Sequence, residues 1–242
     1  MHIAAFADVH ANLTALRAVL RDIDDHGPFD LVVSNGDQIL GGPRPLETWR
    51  ELERTGAYCL CGNTERDLGI GQFPPAPAGG QWRDRILEVF DWTMDAVPAD
   101  VRVRAAGLPQ RLDLRMDLGP LLVISHANGV NLDDFMWPDT DPSELDRLTG
   151  TPPPELLVVG HIHAPMDLQV GPTRVLRAGS VGLMYEANAY NQAHWTEITW
   201  DAPRRVWQAT PHAVTWDHTS EISAGHAVGY PGTEILPGYE RG

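Results

Sequence analysis

Five short apolar runs each end beside side chains able to hold a metal ion, and this succession constrains the chain more than any other feature. Residues 3–7 lead into Asp8-Val9-His10, residues 31–33 into Asn35-Gly36-Asp37, and residues 57–60 into Gly62-Asn63. Further along, residues 121–124 precede Ser125-His126, and residues 156–159 precede Gly160-His161-Ile162-His163. Apolar runs of this length, bounded by glycine and small polar residues, read as buried strands. Between the first two, residues 12–25 place Leu13, Leu16, Val19, Leu20 and Ile23 at the three-four spacing of one helix face. Asn12 is the N-cap there and His26-Gly27-Pro28 the stop. Residues 46–54 read as a second helix. A strand-helix-strand-helix-strand opening favours parallel neighbours with crossover helices. Functional groups in such sheets gather beyond the carboxyl ends of the strands, so Asp8, Asp37, Asn63, His126 and His161 are expected on one edge.

Residues 73–80 are rich in Pro and Gly and read as a loop. Residues 82–94 return to helix, with Trp82, Ile86, Val89, Phe90 and Thr93 on one side, and residues 97–110 form a short helical connection. Residues 112–114 and 121–124 resemble two strands joined at Leu118-Gly119-Pro120. The turn-rich stretch 128–154 carries a short helix at 143–148. Residues 156–159, 168–170, 174–176 and 194–199 are further strands, and 200–205 turn into 206–210. Residues 220–242 read as a loosely packed tail. Without repeats or a strong linker, a single domain over 1–242 is expected.

Hydrophobic residues make up 43% of the 242 residues, enough for a substantial core. With 33 acidic against 18 basic residues the net charge is -15. Such a surface repels phosphate backbones and anionic membranes, which argues against nonspecific nucleic-acid or membrane binding. It does not exclude an anionic substrate, because bound divalent ions reverse the local sign. The N-terminus lacks a basic-then-apolar leader and no stretch reaches spanning length, so a soluble, cytoplasmic protein is expected. Cys59 and Cys61 alternate in one strand and point the same way, which reads as two small buried hydrophobes rather than a disulfide. Trp195, Trp200, Trp207 and Trp216 are expected to pack against a sheet, and Trp137 to line a pocket.

The ligand pattern has its own chemistry. A carboxylate two residues before an imidazole, as in Asp8 and His10, can reach one ion from a single turn. Asp37 has two oxygens and can bind one ion with each. His161 and His163 can serve different ions. The set is enough for two adjacent metal sites sharing a carboxylate, an arrangement suited to phosphoester hydrolysis.

The order Asp-x-His, Gly-Asp, Gly-Asn, His, Gly-His-x-His resembles the calcineurin-like metallophosphoesterases, over residues 1 to about 210. Gly41-Gly42-Pro43 and Ala178-Gly179-Ser180-Val181-Gly182 are similar to the small bacterial phosphodiesterase branch. The resemblance implies an α/β fold in four layers, an α/β/β/α sandwich of two mixed sheets flanked by helices. It implies Asp8, His10 and His163 around a first divalent ion and Asn63, His126 and His161 around a second, with Asp37 bridging. Asp37, Asn63 and His126 would carry the catalysis. Manganese, iron, nickel and zinc all suit the mixed N and O donors, manganese first. The chain departs from the family at Thr64, where many members have histidine; a threonine hydroxyl is a poor general acid. Glu65 or His194 would then supply the proton, or leaving groups that need none would react best. Ala127 replaces the family's usual glycine, and Asn128 beside it either offers an amide to phosphate or shapes the turn. Arg66 either binds phosphate or forms a surface ion pair. The expected function is a dinuclear metal-dependent phosphodiesterase acting on a small phosphoester. The alternatives are a monoesterase on a nucleotide or sugar phosphate and a non-catalytic metal-binding scaffold.

Overall fold

A computed structural model describes residues 1–73, 81–184 and 191–235. The first sheet is built from β1 (His2–Phe6), β2 (Leu31–Ser34), β3 (Tyr58–Cys59), β9 (Gln192–Asp201) and β10 (Val206–Thr215), in the order β10-β9-β1-β2-β3. The second holds β4 (Arg111–Arg115), β5 (Leu121–Ser125), β6 (Leu156–Val158), β7 (Met166–Val170) and β8 (Thr173–Arg177), in the order β4-β5-β6-β8-β7. β1, β2 and β3 run parallel, as do β5, β6 and β8, while β9, β10, β4 and β7 pair antiparallel.

The two sheets face each other because their strands are apolar on both sides. Ile3 and Ala5 of β1 point inward with Val33, Leu60 and Ile198, against Leu122, Ile124, Leu156, Val158 and Leu176 of the other sheet. Ala4 and Phe6 point outward under α1 (Leu13–His26), meeting Leu13, Leu16, Val19 and Ile23. On the far side α6 (Pro142–Thr149) lays Leu145 and Leu148 on Val123, Leu157 and Val175. Helix, sheet, sheet and helix therefore stack as the four-layer α/β sandwich expected. A further core joins Trp49 of α2 (Pro45–Thr55) and Leu68 of α3 (Asn63–Ile70) to α4 (Gln81–Ala96) and α5 (Ala99–Ala106), through Val89, Phe90, Val101 and Ala105.

Several expectations need correction. α3 begins just before Arg66 but has no apolar periodicity to mark its extent; the Gly62 N-cap and the Glu65 side chain closing back on it start this helix. Residues 220–235 do not trail loosely. They lie largely in α7 (His218–Val228), where buried Glu221 receives Arg44 and Thr14 N–H groups, and in the 3-10 turn Thr233–Ile235 beside buried Tyr230. Residues 74–80, most of the expected loop, the Trp82 side chain and residues 236–242 lie outside the described residues. β9 and β10 are each 10 residues long, longer than periodicity suggested, because they form one continuous hairpin. Among the described residues, no helix is long and apolar enough to cross a membrane.

Candidate metal centre

Each expected ligand sits where a strand gives way to a loop. Asp8 and His10 follow β1, Asp37 follows β2, and Asn63 opens α3 after β3. His126 follows β5, and His161 and His163 follow β6. The first sheet thus contributes four of the seven and the second sheet three, all at the shared carboxyl edge. The backbone there is unusual. Eight described non-glycine residues have φ in the left-handed region, and Asp8, His10, Asp37, His161 and His163 are five of them. Each costs of order 1 kcal/mol or more, and such residues cluster at functional sites. Two glycines allow the close approach. A Cβ on Gly62 would lie 2.1 Å from Asp37 Oδ1, and one on Gly160 would lie 2.6 Å from Asp8 Oδ2.

Two side-chain groups result, Asp8 with His10 and His163, and Asp8 with Asp37 and His126, and each has its ligand atoms within 4.8 Å of one another. His10 Nε2 is 2.9 Å from His163 Nε2 and 3.8 Å from Asp37 Oδ2. His126 Nε2 is 3.3 Å from Asp37 Oδ1 and 2.9 Å from Asn63 Oδ1. His161 stands at the margin. Its backbone N–H donates to both Asp8 oxygens, its Nε2 faces the Asp133 carbonyl at 3.3 Å, and its ring centre is 5.1 Å from that of His126.

Hydrogen bonds fix which ring nitrogens carry lone pairs. His10 Nδ1 donates to the Leu40 carbonyl at 2.6 Å, and His126 Nδ1 to the Asn35 carbonyl at 3.0 Å. A carbonyl can only accept, so in the neutral rings both Nε2 atoms are acceptors. Each therefore aims a lone pair at an oxygen of the Asp37 carboxylate. Acceptors facing acceptors in a buried place need a cation or a proton between them, so this donor set fits divalent metal. The titration behaviour agrees. Burial opposes charge on His126, yet Asp37 raises it to about 9. Burial alone would raise Asp37, but His126 and then His10 hold it well below the usual range. Asp8 likewise is held low by His163 against the effect of burial. His10 is lowered by burial and by His163, and His161 falls to about 4 through burial and the nearby His126.

A cavity of about 200 Å³ opens onto the cluster. His10, Asp37, Asn63, Thr64, His161 and His163 form its polar floor; Leu40, Phe73, Ile86, Val89 and Leu183 line its apolar wall. The three residues considered for phosphate contact have other engagements. The Thr64 N–H and hydroxyl both donate to Asp37 Oδ1, at 3.1 and 2.9 Å. The Asn128 amide donates to Asn131 and to the Asp134 carbonyl while its oxygen accepts from Val130 and Asn131 N–H groups, so it shapes the turn. Arg66 grips Asp133 with two nitrogens, at 2.6 and 2.8 Å, and also reaches Asp67.

Neither suggested proton source lines the cavity. Glu65 is fully buried and accepts N–H bonds from Asp37, Gln38 and Gly62 at 2.8, 2.8 and 3.0 Å, clamping two ligand-bearing loops together. Burial, with Asp37 next, pushes its pKa to about 7. His194 lies beneath the loop at Gly179, and its Nδ1 lacks a partner among the described residues. Trp137 stacks under the Arg177 guanidinium, 5.8 Å from the ring centre, and does not line this cavity; Trp195, Trp207 and Trp216 are buried in the cores. Sequence reasoning missed how the 178–182 segment supports Asp8. Val181 and Gly182 donate N–H groups to Ala7 and Asp8 carbonyls, and the Ser180 hydroxyl donates to the Asp8 carbonyl at 2.8 Å. Arg177, buried beside them, donates to the Ala164 carbonyl just past His163.

The fold and this convergence of acceptors define an α/β sandwich with a metal-binding centre at the common edge of its sheets. Residues 1–196 match the calcineurin-like phosphoesterase superfamily domain, and the chain belongs to that family, whose members are metal-dependent hydrolases. A metallophosphoesterase from Sphaerobacter thermophilus has a similar structure, with 21% identity, 98% of each chain covered and a TM-score of 0.71. A hypothetical protein from Pyrococcus horikoshii OT3 is similar over 99% of each chain, with 18% identity and a TM-score of 0.75. None of the curated proteins matches the chain.

Proposed function

We propose that the protein is a dinuclear metal-dependent phosphodiesterase. The observation that carries this reading is the placement of Asp37, whose Oδ2 faces His10 and whose Oδ1 faces His126. Asp8, His10 and His163 would hold one divalent ion and Asn63, His126 and His161 the other, with Asp37 shared. When bound, two such ions supply a hydroxide nucleophile near neutral pH and neutralise charge on the phosphoryl oxygens. Leu40 and Asn35 carbonyls hold the His10 and His126 rings in the required tautomer, and Thr64 fixes the Asp37 carboxylate. Leu40, Phe73, Val89 and Leu183 shield one side of the site from water and would receive the apolar part of a substrate.

Two features favour diesters. Among the described residues no lysine or arginine lines the cavity, so none of them answers the second negative charge of a monoester. Nor, among the described residues, does a side chain there match a general acid for a poor leaving group, since Thr64 is committed to Asp37. Manganese is the first ion to try, with iron, nickel and zinc as alternatives. The test compares bis-p-nitrophenyl phosphate with p-nitrophenyl phosphate on chelated protein after manganese is restored. Faster diester turnover, lost in Asp37→Asn together with bound metal, supports the proposal. Faster monoester turnover points to the monoesterase, and no turnover with two ions bound points to the scaffold.

A further inference from the structure

A second set of metal-binding side chains lies away from that edge. Asp22 and His26 are four residues apart on α1, which places them on one helix face. His212 of β10 lies across from them, directly opposite Trp195 of β9 in the hairpin register. A carboxylate oxygen of Asp22 and one ring nitrogen of each histidine lie within 4.8 Å of one another. From the N-cap at Asn12, the helix rise puts these groups roughly 15–20 Å along α1.

The surroundings already hold the three groups in ligand-like states. Trp195 Nε1 donates to Asp22 Oδ2 at 2.7 Å, which leaves the other oxygen to meet an ion. The His212 ring lies flat on the Trp195 indole, 4.2 Å between centres and 10° from parallel. Its Nε2 pairs with Glu197 Oε2 at 3.0 Å, and Glu197 in turn meets His2 Nε2 at 2.8 Å. A carboxylate behind a histidine orients the ring and strengthens it as a donor, here leaving Nδ1 with its lone pair. His26 Nδ1 donates to the Asp22 carbonyl at 2.7 Å, which leaves Nε2 with a lone pair. The His26 ring stands edge-on to His212, with 4.8 Å between centres.

We infer that Asp22, His26 and His212 form a divalent-metal site separate from the phosphoesterase centre, clamping α1 to the β9–β10 hairpin. Two imidazoles and one carboxylate suit a borderline ion with a water in the fourth position, which is zinc chemistry; magnesium and calcium prefer more oxygen donors. Ligand atoms around tetrahedral zinc sit roughly 3.4 Å apart. With no separation above 4.8 Å, each gap closes by at most about 1.4 Å, within reach of the His26 side chain, which is exposed.

The full-length protein, stripped with chelator, is titrated with zinc and the bound equivalents are counted by elemental analysis. His26→Ala and His212→Ala are each expected to bind one equivalent fewer than wild type, while manganese-restored phosphoesterase activity stays unchanged. Glu197→Gln should weaken binding at this site about tenfold without removing it. Equal zinc counts in wild type and both variants would overturn the inference. If His212→Ala fails to fold, by circular dichroism, the count for exposed His26→Ala decides. The readout is a difference of one equivalent, so it does not depend on how many ions the phosphoesterase centre holds. Failure of the dinuclear reading would show instead in Asp37→Asn.

Discussion

Replacing Gly62 with alanine tests whether close approach to Asp37 is what gives the centre its geometry. The backbone at Gly62 has φ -96° and ψ -179°, which any residue adopts, so the substitution costs nothing in conformation. Its cost is steric. The new Cβ would sit 2.1 Å from Asp37 Oδ1 and 2.5 Å from Asp37 N, where ordinary contact begins at 3.4 Å. The carboxylate must therefore retreat by about 1.3 Å and the backbone by about 0.9 Å. Overpacking of this kind costs about 1–3 kcal/mol, a fall in Tm of roughly 2–12 °C for a chain this long. A misplacement near 1 Å lowers turnover about 100-fold, or about 2.7 kcal/mol in the barrier. The assay is kcat/KM on bis-p-nitrophenyl phosphate at saturating manganese, with thermal unfolding alongside. Gly56→Ala is the control: a Cβ there meets nothing within 4 Å, and only its φ of +72° is strained. It should lose about 1–2 kcal/mol of stability and keep wild-type activity. A Gly62→Ala protein with wild-type turnover would refute the reasoning.

Arg66→Ala removes the partner of exposed Asp133 and of buried Asp67, so it should cost about 1–3 kcal/mol of stability while changing kcat/KM by less than severalfold; a large rise in KM would restore the phosphate-binding role. The metal-free protein should lose stability as pH rises from 6.5 to about 9. His126 is raised in the folded state, so its contribution is complete below 6.5 and disappears as it deprotonates through 9, which denaturant titrations at stepped pH would show. Added manganese should remove that decline, because the ion replaces the proton. Both thiols are pushed up to about 12, first by burial, so Cys59 and Cys61 should resist a disulfide reagent at pH 8 in native protein and react after denaturation; rapid native reaction would contradict this.

Much of the centre was legible because strand ends are legible. Apolar runs mark where each strand stops, and parallel pairing sends their carboxyl ends to one edge, so the sequence alone places Asp8, Asp37, Asn63, His126 and His161 together. What the pattern could not convey was partner choice. Asn128, Arg66 and Glu65 are all able to meet phosphate or protons, but each is engaged by groups distant in sequence or by local turn geometry. The left-handed backbone at five ligand positions was equally invisible, since periodicity reports which face a residue takes and not its φ. α7 was missed because the glycines and prolines that follow it in residues 229–242 suppressed the helical signal, whereas buried Glu221 and its Arg44 partner hold the helix in place.

Because four ligand positions belong to one sheet and three to the other, the spacing between the two halves of the centre is set elsewhere. The gauge is the apolar layer between the sheets, where Ile3, Val33 and Ile198 meet Ile124, Leu156 and Leu176. A methylene added or removed there shifts one sheet against its neighbour, and with it His126 against Asp37. Buried aliphatic residues that never touch substrate thus act as the calibration of an instrument whose jaws are at the edge.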